Sequence, residues 1–179
     1  FRDRETNTRI VLEPLVNMET SLYYQGCKDQ FLREGLLPMV TEPYVYEGKM
    51  IVEQTFPIVI DGRFVGVGGV DRALNDLVAF LQSIKERDQV DLFLISRAGK
   101  FVASTLDSEA PSTNSPLSLR TRRIDQTAYR DLFKPFYDHA DANKLELTRD
   151  PISKGRYYFA TAPVPTGKWL VIVRQSEAK

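Results

Sequence analysis

Residues 41–87 read TEPYVYEGKMIVEQTFPIVIDGRFVGVGGVDRALNDLVAFLQSIKER. Met50, Val52, Phe56, Ile58 and Ile60 alternate with Glu53 and Thr55, the two-residue period of a strand with unlike faces. Asp61-Gly62 is a two-residue hairpin signal, because glycine accepts the positive φ such a turn needs. Residues 64–70 supply the return strand. Leu74, Leu77, Val78, Leu81 and Ile84 then follow helical spacing, with Asp71 at the expected cap position. The unit is strand, turn, strand, helix.

Working outward toward the N-terminus, residues 17–34 predict a helix. Asn17 can cap it, Tyr24, Cys27 and Phe31 share one face, and Gly35 and Pro38 end it. A short strand is expected at residues 9–12, stopped by Pro14. Pro57 removes a ladder donor, so an edge position or a bulge is expected near it.

Toward the C-terminus, residues 86–89 are polar and predict a hinge. A second cycle follows: strands at 90–96 and 101–104 around a turn at 97–100, a Ser/Pro/Thr-rich loop at 106–119, and a helix at 125–139. Strands at 145–148, 156–162 and 168–173 complete it. Strand, strand, helix, strand, strand, strand is an α+β layer order. The first part of the chain repeats the later portion of that order. The expected architecture is therefore two tandem antiparallel lobes with flanking helices, the first cut short at its N-terminal side. The proposed division is residues 1–86 and 87–179.

Composition narrows the function classes. Lys+Arg and Asp+Glu are both 24, so the formal net charge is zero, which argues against a general polyanion binder. The basic run at Arg120, Arg122 and Arg123 reads as a solvated loop. A single cysteine, Cys27, allows no internal disulfide and no cysteine-based metal site. No apolar run reaches the ~18 residues a bilayer span needs. Phe1 opens the chain, which is expected to be a piece of a longer protein.

No nucleophile elbow, metalloprotease helix or Walker-type phosphate loop occurs. Gly66, Gly68 and Gly69 lie inside a strand and read as close backbone packing or a sheet bend, not as a dinucleotide loop. His139, the only histidine, falls at the end of a predicted helix. The expectation is a binding or structural module without catalysis, metal or cofactor.

One set of residues points to a ligand. Tyr23, Tyr24, Tyr44 and Tyr46 bracket the segment entering the central hairpin, and Asp71 lies where its return strand meets the helix. Aromatic rings and one carboxylate suit an organic cation or amine, through cation–π attraction and a charged hydrogen bond. The same residues also suit a core or interface of tyrosines with Asp71 as a helix cap.

On these residues the chain resembles the double Cache (tandem PAS-like) sensor domains of bacterial signal-transduction receptors. The resemblance rests on Tyr23-Tyr24-Gln25-Gly26 with Lys28, Thr41-Glu42-Pro43-Tyr44, Phe56-Pro57-Ile58, residues 61–67, and Gly69-Val70-Asp71 with Leu74 and Leu77. In the second lobe it rests on residues 92–104 and 158–171 with Trp169. It implies the extracytoplasmic, periplasmic part of a membrane-anchored histidine kinase, chemoreceptor or diguanylate cyclase. A membrane-distal lobe would bind a small molecule, and a membrane-proximal lobe would relay its occupancy; a homodimer is compatible with it. The long N-terminal helix of such domains does not appear in this sequence.

In amino-acid-binding members, an Arg two positions before a Trp grips the ligand carboxylate, and Tyr and Asp hold the amino group. Tyr24, Tyr44 and Asp71 match by position, Tyr23 stands at the Trp position, and Tyr46 replaces an Asp. Ser21 stands where the Arg would be, and a hydroxyl gives no bidentate charged clamp. The implied ligand is an amine or another small metabolite, not an α-amino acid. The alternatives are a non-sensing spacer or dimerisation module and a cytoplasmic PAS-type cofactor domain.

Overall fold

Asp61 and Gly62 both carry positive φ, 49° and 75°, the backbone that a tight turn between right-twisted strands requires. The computed structural model describes residues 15, 17–46, 49–106, 119, 122–140 and 143–177. The expected strand at 9–12, most of the 106–119 loop and Arg120 lie outside those residues. The turn joins β3 (Lys49–Ile60) to β4 (Arg63–Ala73), paired antiparallel from Ile60↔Arg63 to Ile51↔Ala73. Two short strands, β1 (Met39–Val40) and β2 (Tyr44–Tyr46), also pair with β3. Pro57 lies beyond β1, whose pairing stops at Thr55, and just before a register shift between Ile58 and Val59. Edge and bulge are both present there.

The alternation in β3 is real, but the covered face is the polar one. Ile51, Glu53, Thr55 and Pro57 are buried, whereas Phe56, Ile58 and Ile60 are exposed. The cause is α1 (Leu22–Glu34), which lies across the odd-numbered face and buries Cys27 there. Ser21 caps this helix, its Oγ accepting from the Tyr24 amide at 3.3 Å. Asn17, expected in that role, precedes a short 3-10 turn (Met18–Thr20) and makes no side-chain cap bond. Gly69 faces Thr55 on the covered side, where a Cβ would stand 2.8 Å from the Gln54 carbonyl oxygen. Close packing is therefore what this glycine serves.

β4 runs directly into α2 (Leu74–Asp88), with Ala73 at the cap position and no side-chain cap. This corrects the cap role expected of Asp71, which is a strand residue of β4 facing Glu53. The helix signal came from the apolar spacing after Leu74, and the extended backbone simply continues up to it.

The second sheet orders as β6-β5-β9-β8-β7, all antiparallel. Its strands are β5 (Asp91–Ile95), β6 (Phe101–Ser104), β7 (Lys144–Arg149), β8 (Arg156–Val164) and β9 (Trp169–Ser176). One face carries α3 (Arg130–Asp138), which begins after a 3-10 turn at Ile124–Gln126. Phe93, Phe101, Tyr129, Phe133, Phe136 and Phe159 fill the space between them. Tyr129 and Phe133, one helical turn apart, stack at 4.5 Å.

The other face of this sheet packs on α2. Leu74 and Leu81 join Leu92, Leu94, Val102 and Ala103, and Val40 and Val52 of the first sheet complete the cluster. So α2 is the seam between the two sheets. The hinge expected at 86–89 is instead the last turn of α2 and Gln89, which closes it at φ 55°. Lys85 fastens that corner, 3.0 Å from the Asp91 carboxylate and 3.1 Å from the Thr105 carbonyl oxygen.

Candidate functional site

The first lobe holds an acidic cluster at the base of its long hairpin. Thr41, just past β1, clips β3 twice: its amide donates to the Glu53 carbonyl, and its Oγ1 accepts from the Glu53 amide, each at 3.0 Å. This fixes Glu53 facing inward. Asp71 is its cross-strand partner on β4, and directly opposite residues hold their Cβ atoms about 4.5–5.5 Å apart. Tyr44 enters from β2 on the other side of β3, with its hydroxyl near enough to the Glu53 carboxylate for each group to shift the other's titration.

Glu53 is 8% exposed, and its Oε2 has no hydrogen-bond partner. Burial raises its carboxyl pKa; the Tyr44 hydroxyl opposes that rise and the nearby Asp71 charge adds to it. Partial desolvation also raises Asp71, although this residue is exposed. The Tyr44 hydroxyl is pushed up first by burial, then by the Glu53 carboxylate beside it and by the Asp71 charge. Among the described residues no Lys or Arg forms an ion pair with either acid. The arrangement is two carboxylates and a phenol without a cation, and such a site attracts positive charge.

Of the residues singled out in sequence, the structure brings Tyr44 and Asp71 together. Tyr46 is exposed at the end of β2, within electrostatic reach of Tyr44. Tyr23 and Tyr24 are half-buried on α1. The Tyr24 ring meets Phe64 edge-on at 5.4 Å, and Phe64 is seven residues from Asp71 along β4, about 20 Å at roughly 3.3 Å per residue. Tyr24 and Tyr44 thus meet the first sheet at two separate places. Glu53 is the residue the alternation pattern did not single out.

The second lobe contains a matching set that is closed. Asp150, fully buried, accepts from the Ser153 and Ile152 amides and the Ser153 hydroxyl on Oδ1, and from Tyr129 and Arg174 on Oδ2. Arg174 also bonds Asp91 and lies over the Tyr157 ring at 4.4 Å. Burial would raise both aspartates, but these hydrogen bonds and the Arg174 charge hold them below the usual carboxylate range. Among the described residues no group of three or more His, Cys, Asp or Glu is placed to hold a metal ion. No described helix is long and apolar enough to cross a membrane.

No protein-family model matches the chain, and no curated protein matches it in sequence. Solved structures do. The extracellular domain of a protein described as a histidine-kinase candidate, mmHK1S-Z2, is 24% identical with a TM-score of 0.69, over 97% of this chain and 61% of that one. Methyl-accepting chemotaxis protein X is 21% identical with a TM-score of 0.66, over 98% and 61%. The ligand-binding domain of the Pseudomonas aeruginosa PAO1 amino-acid chemoreceptor PctC, in complex with GABA, is 18% identical with a TM-score of 0.56, over 93% and 66%. The fold is thus that of Cache-type sensor domains: α+β, with antiparallel sheets. The chain spans about three fifths of the first two of these domains.

Proposed function

We propose that this chain belongs to the extracytoplasmic, ligand-sensing part of a membrane-anchored signalling receptor. Residues 1–86 form its membrane-distal lobe and residues 87–179 its membrane-proximal lobe. The distal lobe binds a small organic cation at Tyr44 and Asp71, with Tyr46 beside them and Tyr23 and Tyr24 on the helix across the same sheet. The observation that carries this reading is the Tyr44–Glu53–Asp71 cluster, which has no basic partner among the described residues. The likeness in fold to chemoreceptor and kinase ectodomains supports it.

The site also has a route to the second lobe. Val52, next to Glu53, is part of the seam. Glu42, next to the Thr41 clip, pairs with Arg97 on the β5–β6 turn at 3.4 Å. Val40 packs against Gly167 on the β8–β9 turn. A ligand that favours one placement of residues 40–44 shifts the two-state equilibrium of that contact by its differential affinity. Thermal-shift screening of the complete ectodomain against amines, amino acids and organic acids tests the reading. Stabilisation by amines, lost in Asp71→Ala with folding intact, is expected; no stabilisation by any amine refutes it. A spacer module would instead show an Asp71→Ala change in melting temperature and no ligand response.

A further inference from the structure

We infer that the ligand of this site carries two cationic centres, one held by Asp71 and one by Glu53, as in an aliphatic diamine. The inference rests on the sensing reading above and names the chemical class it takes. Glu53 is nine-tenths buried, is held facing inward by the Thr41 clip, and has one carboxylate oxygen with no partner. Ionised or protonated, that oxygen lacks a hydrogen bond, and an unmade buried bond is costly. One ammonium on Asp71 leaves it unsatisfied. A second donor satisfies it and neutralises two acids that otherwise stand opposite each other across the strands.

The second lobe shows the closed form of this chemistry. There Tyr129 and two carboxylates, Asp91 and Asp150, converge on the guanidinium of Arg174, a planar cation with several donors that serves both acids at once. In the first lobe Tyr44, Glu53 and Asp71 present the same groups, and no side chain among the described residues supplies the cation. An α-amino acid fits poorly, because its carboxylate would add a third negative charge where no described Arg or Lys is ion-paired to the acids. A hard metal ion needs six or more oxygen ligands, and the described residues offer no metal-binding group at this place.

The test is isothermal titration and thermal shift of the complete ectodomain with 1,4-diaminobutane, 1-aminobutane and calcium chloride at one ionic strength. A second charged hydrogen bond should make the diamine bind at least about tenfold tighter than the monoamine. Glu53→Gln should bring diamine affinity down to the monoamine level. Asp71→Asn should weaken both. Equal affinities in the unmodified protein overturn the second cationic centre while leaving the sensing reading intact, and this comparison needs no variant to fold. Unchanged diamine binding in Glu53→Gln overturns it as well. Calcium that binds and displaces the diamine replaces the organic dication with a metal and overturns the inference. No amine binding at all overturns both readings.

Discussion

Each lobe sets a tyrosine hydroxyl beside two acids, and the two sets differ in one group. In the second, Arg174 on β9 reaches Asp91, Asp150 and Tyr129 together. In the first, Tyr44, Glu53 and Asp71 meet with no guanidinium ion-paired to the acids among the described residues. The second sheet is also covered on both faces, by α3 and by α2, and its interior is packed with six aromatic rings. Among the described residues α1 covers one face of the first sheet, while on the other face α2 reaches only the end at Val40 and Val52 and leaves Phe56, Ile58 and Ile60 exposed. One lobe carries its own counter-ion and fills its own core. The other keeps a pair of facing acids with no ion-paired cation among the described residues.

The comparison breaks most visibly at Arg174. Removing one partner of a buried ion network leaves an uncompensated charge, here on the fully buried Asp150. Arg174→Ala should cost about 3–5 kcal/mol in denaturant unfolding of the complete ectodomain. A loss below ~1 kcal/mol would mean that the second lobe does not depend on its internal cation.

The next effect belongs to the first lobe. A Cβ on Gly69 would sit 2.8 Å from the Gln54 carbonyl oxygen and 2.9 Å from Thr55 Cγ2. Gly69→Ala should therefore destabilise by about 1–3 kcal/mol, as overpacking does, and it should weaken amine binding because Gly69 lies two residues from Asp71. Smaller again is Ser21→Ala at the start of α1, which removes the bond to the Tyr24 amide. About 1 kcal/mol is expected, typical of a lost helix cap. Circular dichroism melts measure both.

The order of strands and helices was legible because apolar spacing, turn residues and helix stops agree along the chain. The Asp61-Gly62 turn follows from local chemistry alone. The charged groups were not legible in that way. Counting back from the turn with Ile60 opposite Arg63 pairs Glu53 with Val70. The register shift at Ile58/Val59 moves it one place, opposite Asp71. That bulge is a property of the pairing, so the alternation left Glu53 as one polar residue among several. The choice of covered face was hidden for a related reason: α1 lies over the less apolar side of β3, a tertiary decision that hydrophobic periodicity does not encode. Arg174, Asp91 and Asp150 come from three separate segments, and no local pattern links them.

The smallest effect separates the lobes by sign. Asp91 and Asp150 are held below their ordinary value, so their contribution is complete above the unfolded carboxylate range, near pH ~4, and is lost as pH falls through the lower folded values. Glu53 and Asp71 are raised. Their ionisation opposes folding at neutral pH, and that opposition fades as pH falls through the raised folded values toward the unfolded range. The unliganded ectodomain should therefore gain slightly in melting temperature on mild acidification and then lose stability below about pH 4. Glu53→Gln removes one of the two facing charges. It should raise stability at neutral pH by up to about 1 kcal/mol and flatten the mild-acid rise, while the steep loss at lower pH remains because it belongs to the other lobe. A melting profile unchanged by Glu53→Gln above pH 5 would show that Glu53 is already neutralised in the free protein, and the contrast between the open and the closed acid set would then fail.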